Sequence, residues 1–131
     1  MEQSKIKMLI VDDEPLIIRS LKVALPWNEL GIEIIGEARN GEKALEIFNE
    51  HLPHIVLSDI RMPSIDGMEL MKRVLSVSPE LIFILISGYG EFEYAREGLI
   101  GGAFDYILKP IDYDELEATV SKAVAQILNR S

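Results

Sequence analysis

Five short runs rich in Ile, Val and Leu, each followed by a longer stretch with helical spacing, recur along this 131-residue chain. The runs are Met8–Val11, Glu33–Ala38 centred on Ile34 and Ile35, Ile55–Ser58, Leu81–Ile86 and Phe104–Leu108. Strands that read as unbroken apolar runs rather than as alternations are buried on both faces, which is the habit of parallel strands covered by helices. The intervening stretches supply the helices. Ile17, Leu21, Ala24 and Leu25 fall on one face of the first. Ala44, Leu45 and Phe48 mark the second, Leu70, Met71, Val74 and Leu75 the third, Phe92, Ala95 and Leu99 the fourth, and Leu116, Val120, Val124 and Ile127 the fifth. Pro15, Pro26, Pro53, Gly101-Gly102 and Pro110 punctuate the alternation.

A right-handed βα repeat of this size predicts an α/β fold: a doubly wound, five-stranded parallel sheet in a three-layer sandwich, with flavodoxin-like strand order 2-1-3-4-5. The length fits one domain, at roughly 150 residues per domain, with a core from about 6 to 128 and loose polar ends at Met1–Lys5 and Asn129–Ser131. Cysteine is absent, which removes disulfides, thiol nucleophiles and zinc-thiolate sites. Thirteen Lys and Arg against 22 Asp and Glu give a net charge of −9, so the chain is not expected to grip nucleic acid directly. Its longest purely apolar run, Leu81–Ile86, is too short to span a bilayer, and Met1–Lys7 lacks the apolar stretch of an export signal. A cytoplasmic location without a membrane anchor is expected.

In such a sheet all strand carboxyl ends share one edge, and ligands bind there near the switch in strand order. The residues just beyond strands one, three, four and five are Asp12 and Asp13, Asp59, Ser87, and Lys109. Taken singly each has an ordinary reading: Asp12 or Asp13 as a helix cap, Asp59 and Ser87 as turn residues, Lys109 as a solvated cation. Together they do not. Three crowded carboxylates raise one another's pKa unless a cation joins them, and Lys109 supplies a single positive charge. An all-oxygen donor set favours a hard ion, magnesium above all. With Asp12 and Asp13 holding that ion directly or through water, Asp59 remains as a third acid, ionised at neutral pH and able to attack phosphorus without a general base. Magnesium, Lys109 and the Ser87 hydroxyl suit the charge that develops on a moving phosphoryl group.

The stretches Val11-Asp12-Asp13-Glu14-Pro15, Asp59-Ile60-Arg61-Met62-Pro63-Ser64-Ile65-Asp66-Gly67, Ser87-Gly88-Tyr89 and Tyr106-Ile107-Leu108-Lys109-Pro110 resemble the receiver domain of two-component response regulators, over about Ile6 to Val124. Trp27–Gly31, Gly88–Ala95 and Gly102–Tyr106 further resemble receivers attached to AraC-type helix-turn-helix output domains. The resemblance implies that Asp59 accepts phosphate from a histidine kinase, that Asp12, Asp13, Asp59 and the Arg61 backbone carbonyl hold magnesium, and that Lys109 pairs with the phosphoryl group. It implies Ser87 and Tyr106 as a switch pair, a cis Lys109-Pro110 bond, and a lifetime set partly by the bulk of Arg61 and Tyr89. No output domain is recognisable in these residues, so the resemblance implies either part of a longer parent chain or a stand-alone regulator. A homodimer through the fourth helix, fifth strand and fifth helix is a further expectation, as is a mobile end of the fourth helix, where Gly98, Gly101 and Gly102 lower helix propensity. Beyond its own phosphoryl transfer and slow self-dephosphorylation, no enzymatic turnover is expected.

Other features carry less. His51 and His54 flank Pro53, which spoils a shared helical face, and read as a surface connector. Gly88-Tyr89-Gly90 lacks the remaining glycines of a dinucleotide fingerprint, Asp66-Gly67 reads as the turn into the third helix, and Trp27 as packing under its connector. A magnesium-dependent phosphohydrolase with an aspartate nucleophile is the alternative from another class, but those enzymes carry an Asp-x-Asp arrangement on the first strand where this chain has adjacent Asp12-Asp13.

Overall fold

A computed structural model describes residues 5–130; the expected loose ends at Met1–Ser4 and Ser131 lie outside them, and Asn129 closes the last helix. Five strands and five helices alternate: β1 (Ile6–Val11), α1 (Pro15–Ala24), β2 (Ile32–Ala38), α2 (Gly41–His51), β3 (Ile55–Asp59), α3 (Gly67–Val77), β4 (Ile82–Ser87), α4 (Phe92–Gly101), β5 (Asp105–Leu108) and α5 (Tyr113–Asn129). The strands form one parallel sheet in the order β2-β1-β3-β4-β5, as the apolar runs predict. None of the described helices is long and apolar enough to cross a membrane.

Alternate residues of each strand feed two separate cores. Met8 and Ile10 of β1 join Ile18 and Leu21 of α1 and Leu116 and Val120 of α5 on one side. Leu9 and Val11 point the other way, toward Phe48 of α2, Leu70 and Val74 of α3, and Ala95 of α4. This two-sided burial is why β1, β3 and β4 carry no polar alternation. β2 is an edge strand and shows it, with Glu33 and Glu37 exposed and a register shift against β1 between Met8 and Leu9 that periodicity did not reveal. In α1 the fully buried face is Ile18 and Leu21, with Ile17 only half-buried; Pro15 starts the helix at a phase that turns Ile18 inward.

The starts of α2, α3 and α5 carry side-chain caps. Asn40 accepts the Lys43 N–H at 2.7 Å, Asp66 the Glu69 N–H at 2.9 Å, and Asp112 the N–H groups of Asp114 and Glu115. Trp27 is buried under its connector and its Nε1 donates to the Leu21 carbonyl at 2.8 Å. His54 sits on the surface connector between α2 and β3, as expected, and also joins the frame: its Nδ1 accepts the Lys7 N–H at 2.9 Å, tying the entry of β3 to β1. Burial and the nearby Lys7 charge hold its pKa below the ordinary histidine value, consistent with a neutral acceptor.

The glycines of the fourth helix are not equivalent. A Cβ at Gly98 would collide with Leu85 of β4 and stand 3.3 Å from the Met68 sulfur, so this glycine lets α4 lie close on the sheet. Gly101 meets only the end of Met71, at 3.4 Å. The tightest backbone approach is Gly67, where a Cβ would strike the Asp59 carbonyl and lie 2.9 Å from the Ile60 Cα. Gly67→Ala is therefore expected to destabilise the fold by about 2–3 kcal/mol, since backbone cannot swing aside, whereas Gly101→Ala should stay within about 1 kcal/mol of the wild type. Urea unfolding of the two variants checks the contrast.

Candidate functional site: an acidic mouth at the sheet edge

Strand register builds the site. Val11 of β1 lies opposite Ser58 of β3, so the next residues, Asp12 and Asp59, leave the sheet side by side. Asp59 lies opposite Ile86 of β4, which brings Ser87 one step beyond, and Ser87 lies opposite Leu108 of β5, which brings Lys109 out beside it. The Lys109 N–H donates to the Ser87 carbonyl at 2.8 Å and fixes that last step. Residues up to 97 positions apart therefore meet at one rim.

The ammonium of Lys109 is the hub. Its Nζ lies 3.5 Å from Asp12 Oδ2, 3.6 Å from Asp59 Oδ2 and 3.2 Å from Glu14 Oε1. Asp12 and Asp59 are buried, Lys109 is one-fifth exposed at its side chain, and Glu14 is mostly in solvent. Asp12 does not occupy the N-cap position of α1, which belongs to Glu14; its Oδ1 accepts the Glu14 N–H at 2.9 Å, one residue ahead of the helix. Its Oδ2, which faces the Lys109 ammonium, is buried without a hydrogen-bond partner among the described residues. Carboxylate oxygens of Asp12, Asp13 and Glu14 all fall within 4.8 Å of one another, and Asp59 stands just outside that group, linked to it through Lys109.

This crowding moves proton affinities. Burial, and then repulsion from Asp12, push Asp59 up to about 7 against the pull of Lys109. Burial also raises Asp12, countered by the Glu14 N–H and by Lys109. Burial by itself would lower Lys109, yet Asp59, Asp12 and Glu14 outweigh it and hold the ammonium above its ordinary value. One lysine leaves the carboxylates under-compensated. A buried, unpartnered carboxylate oxygen beside two further acids is a donor set that fits a hard divalent cation with several retained waters.

The other expected residues take distinct places. Ser87 is fully buried, and its Oγ has only a marginal contact with the Gly88 carbonyl at 3.5 Å. Tyr106 is half-buried on the α4 side of the sheet, against the core that holds Leu85 and Ala95. Lys109-Pro110 is cis. Arg61 sends its side chain outward, where Nε lies 3.2 Å from Glu91 Oε2 and the guanidinium sits 5.2 Å from the centre of the Tyr94 ring. Tyr89 is fully exposed. Sequence reasoning missed Glu14 and Glu91. Adjacency to Asp12-Asp13 was the available signal for Glu14; nothing in local sequence marks Glu91, which bonds Gly88 on its own loop and Arg61 on another.

The response regulator receiver domain profile matches residues 8–121. The transcriptional regulatory protein YesN of Bacillus subtilis, itself described as uncharacterized, is 40% identical over 121 residues, covering 92% of this chain and 33% of YesN. The REC domain of AraT, a response regulator from Geobacillus stearothermophilus, superposes with a TM-score of 0.90 at 37% identity, covering 95% of this chain and 96% of that one. A two component transcriptional regulator AraC from Clostridium phytofermentans gives a TM-score of 0.89 at 34% identity, covering 95% and 97%. The chain spans about a third to a half of the length of the curated relatives it matches.

An acid whose folded pKa lies above its unfolded value favours the protonated fold, so its contribution weakens the fold as pH rises from about 4 toward 7. In a metal-free buffer with chelator, Asp59→Asn is expected to raise thermal stability at pH 7.5 by on the order of 1–2 kcal/mol, allowing for solvent and Lys109 screening. The gain should vanish at pH 4 and shrink when magnesium is added at pH 7.5. Melting curves of both proteins under the three conditions check this.

Proposed function

The chain belongs to the response regulator receiver domain family, and from that premise we propose that it is the phosphoacceptor switch of a two-component system, receiving a phosphoryl group from a histidine kinase on Asp59. The observation that carries this reading is the meeting of buried Asp12 and Asp59 on one ammonium, within 3.6 Å of Lys109 Nζ, an ion pair in which Asp12 Oδ2 makes no hydrogen bond.

In the transfer step a carboxylate oxygen of Asp59 forms a bond to phosphorus as the bond from phosphorus to the kinase imidazole nitrogen breaks, and the imidazole keeps that electron pair. Asp59 acts in its ionised form; burial and repulsion from Asp12 raise its pKa to about 7, so the carboxyl is not fully ionised at neutral pH as its ordinary value predicts, and a cation joining the mouth would favour the ionised form. Asp12, Asp13, Asp59 and the Arg61 carbonyl would hold a magnesium ion, which would supply the positive charge that the carboxylates and phosphoryl oxygens lack. Lys109 pairs with a phosphoryl oxygen from the β5 side. Ser87 donates its hydroxyl from the β4 side, a hydroxyl with no competing strong partner to give up.

Phosphorylation adds about −1.5 to −2 charge and three acceptor oxygens at one point. Ser87 and Lys109 both respond to it, and Tyr106, on β5 opposite Leu85, fills the volume that Ser87 vacates. The bias reaches α4, β5 and α5, where Phe92, Ile100, Leu108 and Tyr113 are exposed apolar side chains suited to a homodimer. The transcriptional regulators among the longer relatives support an AraC-type DNA-binding output domain in a parent chain. A cytoplasmic location goes with this role.

Incubation with magnesium and acetyl phosphate should give close to one acid-stable, base-labile phosphate per chain, absent in Asp59→Asn. Repeated turnover of phosphate monoesters would point to a phosphohydrolase instead, and no label in the wild type would end the phosphoacceptor reading. The label should also persist at least about threefold longer than in Arg61→Ala/Tyr89→Ala, because bulk two residues beyond the acceptor and the hydroxyl hinders attack by water; decay of the isolated phosphoprotein measures it.

A further inference from the structure

Glu91 has no role in the scheme above, yet it is bonded into two of the loops that form the mouth. It is the last residue before α4, and its side chain is only 13% exposed. Oε1 accepts the Gly88 N–H at 2.6 Å, a short bond from backbone to a charged acceptor, directly after Ser87. Oε2 faces Arg61 Nε at 3.2 Å, on the loop that follows Asp59. One carboxylate thus joins the β3–α3 and β4–α4 loops.

The two ends of this bridge differ. Glu91 is fixed by a backbone amide, whereas the Arg61 side chain is 64% exposed and rests on the Tyr94 ring. The guanidinium is drawn toward α4 by both the Glu91 carboxylate and the Tyr94 ring. A phosphoryl group on Asp59 changes the competition. Its oxygens accept from a guanidinium fork in a way that the single Nε contact to Glu91 does not match.

We propose that Glu91 is a positioning residue of the phosphoryl site: it parks Arg61 toward α4 in the unphosphorylated chain, and loses it, together with its hold on the Gly88 amide, when a phosphoryl group sits on Asp59. This rests on the phosphoacceptor reading. The anchor ties entry of phosphate to movement of the loop that carries Ser87, through a residue that touches neither the phosphorus nor the metal ligands' carboxylates.

Two variants separate charge from scaffolding. Glu91→Gln retains an oxygen acceptor for Gly88 but gives up the charge, and Glu91→Ala loses both. With magnesium and acetyl phosphate, Glu91→Gln is expected to lower the half-saturating phosphodonor concentration about three- to tenfold, more at low salt, with the effect in that concentration rather than in the limiting rate. Adding Arg61→Ala to Glu91→Gln should bring the value back to within about twofold of wild type, because freed Arg61 is what recruits the donor. In the unphosphorylated chain, Gly88 amide exchange should quicken at least about tenfold in Glu91→Ala and stay near wild type in Glu91→Gln. An unmoved half-saturating concentration in Glu91→Gln, a gain that is equal with and without Arg61, or Gly88 exchange indifferent to Glu91→Ala overturns the proposal. Failure of the wild type to take label is a different result, and strikes the phosphoacceptor reading beneath it.

Discussion

The mouth of the sheet holds more negative charge than its one lysine balances, and much of the molecule is arranged around that deficit. Lys109 reaches Asp12 and Asp59 because β5 lies next to β4, β4 next to β3 and β3 next to β1, so three successive strand registers must all be correct. A slip of one residue in any of them would turn an acid or the ammonium to the opposite face of the sheet. The two apolar cores prevent such a slip, since it would also drive Leu85 or Ile86 to the wrong side. The same burial that locks the register removes Asp12 and Asp59 from water, and so raises the cost of their charges. Stability of the frame and readiness of the site for a cation are two results of one packing arrangement.

The architecture was legible because it follows from burial. Ile55-Val56-Leu57 and Ile82–Ile86 have helices on both sides and read as strands for that reason. The mouth was legible because a parallel sheet sends every strand end to one edge, which converts sequence positions into neighbours. What escaped were contacts between loops. His54 sits on a surface connector, and it also receives a β1 amide; Glu91 lies in a stretch read only for its family resemblance, and it bonds Gly88 and faces Arg61. Gly98 was read through propensity alone, whereas its missing Cβ admits Leu85. Each depends on which groups stand opposite across a gap of 30 to 47 residues or a layer of the sandwich, information that no local period contains.

The loop after β3 shows how rigidity and freedom are divided at the site. Its entrance is held by the Ile60 N–H to the Ile86 carbonyl at 3.0 Å, and its exit by the Gly67 N–H to the Ile60 carbonyl at 2.7 Å. Midway, Ser64 takes the left-handed region at φ 68 and donates to Glu42 Oε2 at 2.7 Å, while Gly41 lies flush against Ile65. The peptide backbone of Arg61 is thus suspended between fixed points, with Ile60 and Met62 buried on either side of it. Its side chain alone is free to choose among acceptors. A backbone carbonyl that must stay in place and a guanidinium that must move are compatible demands on one residue only when the loop is pinned on both sides, and this loop is.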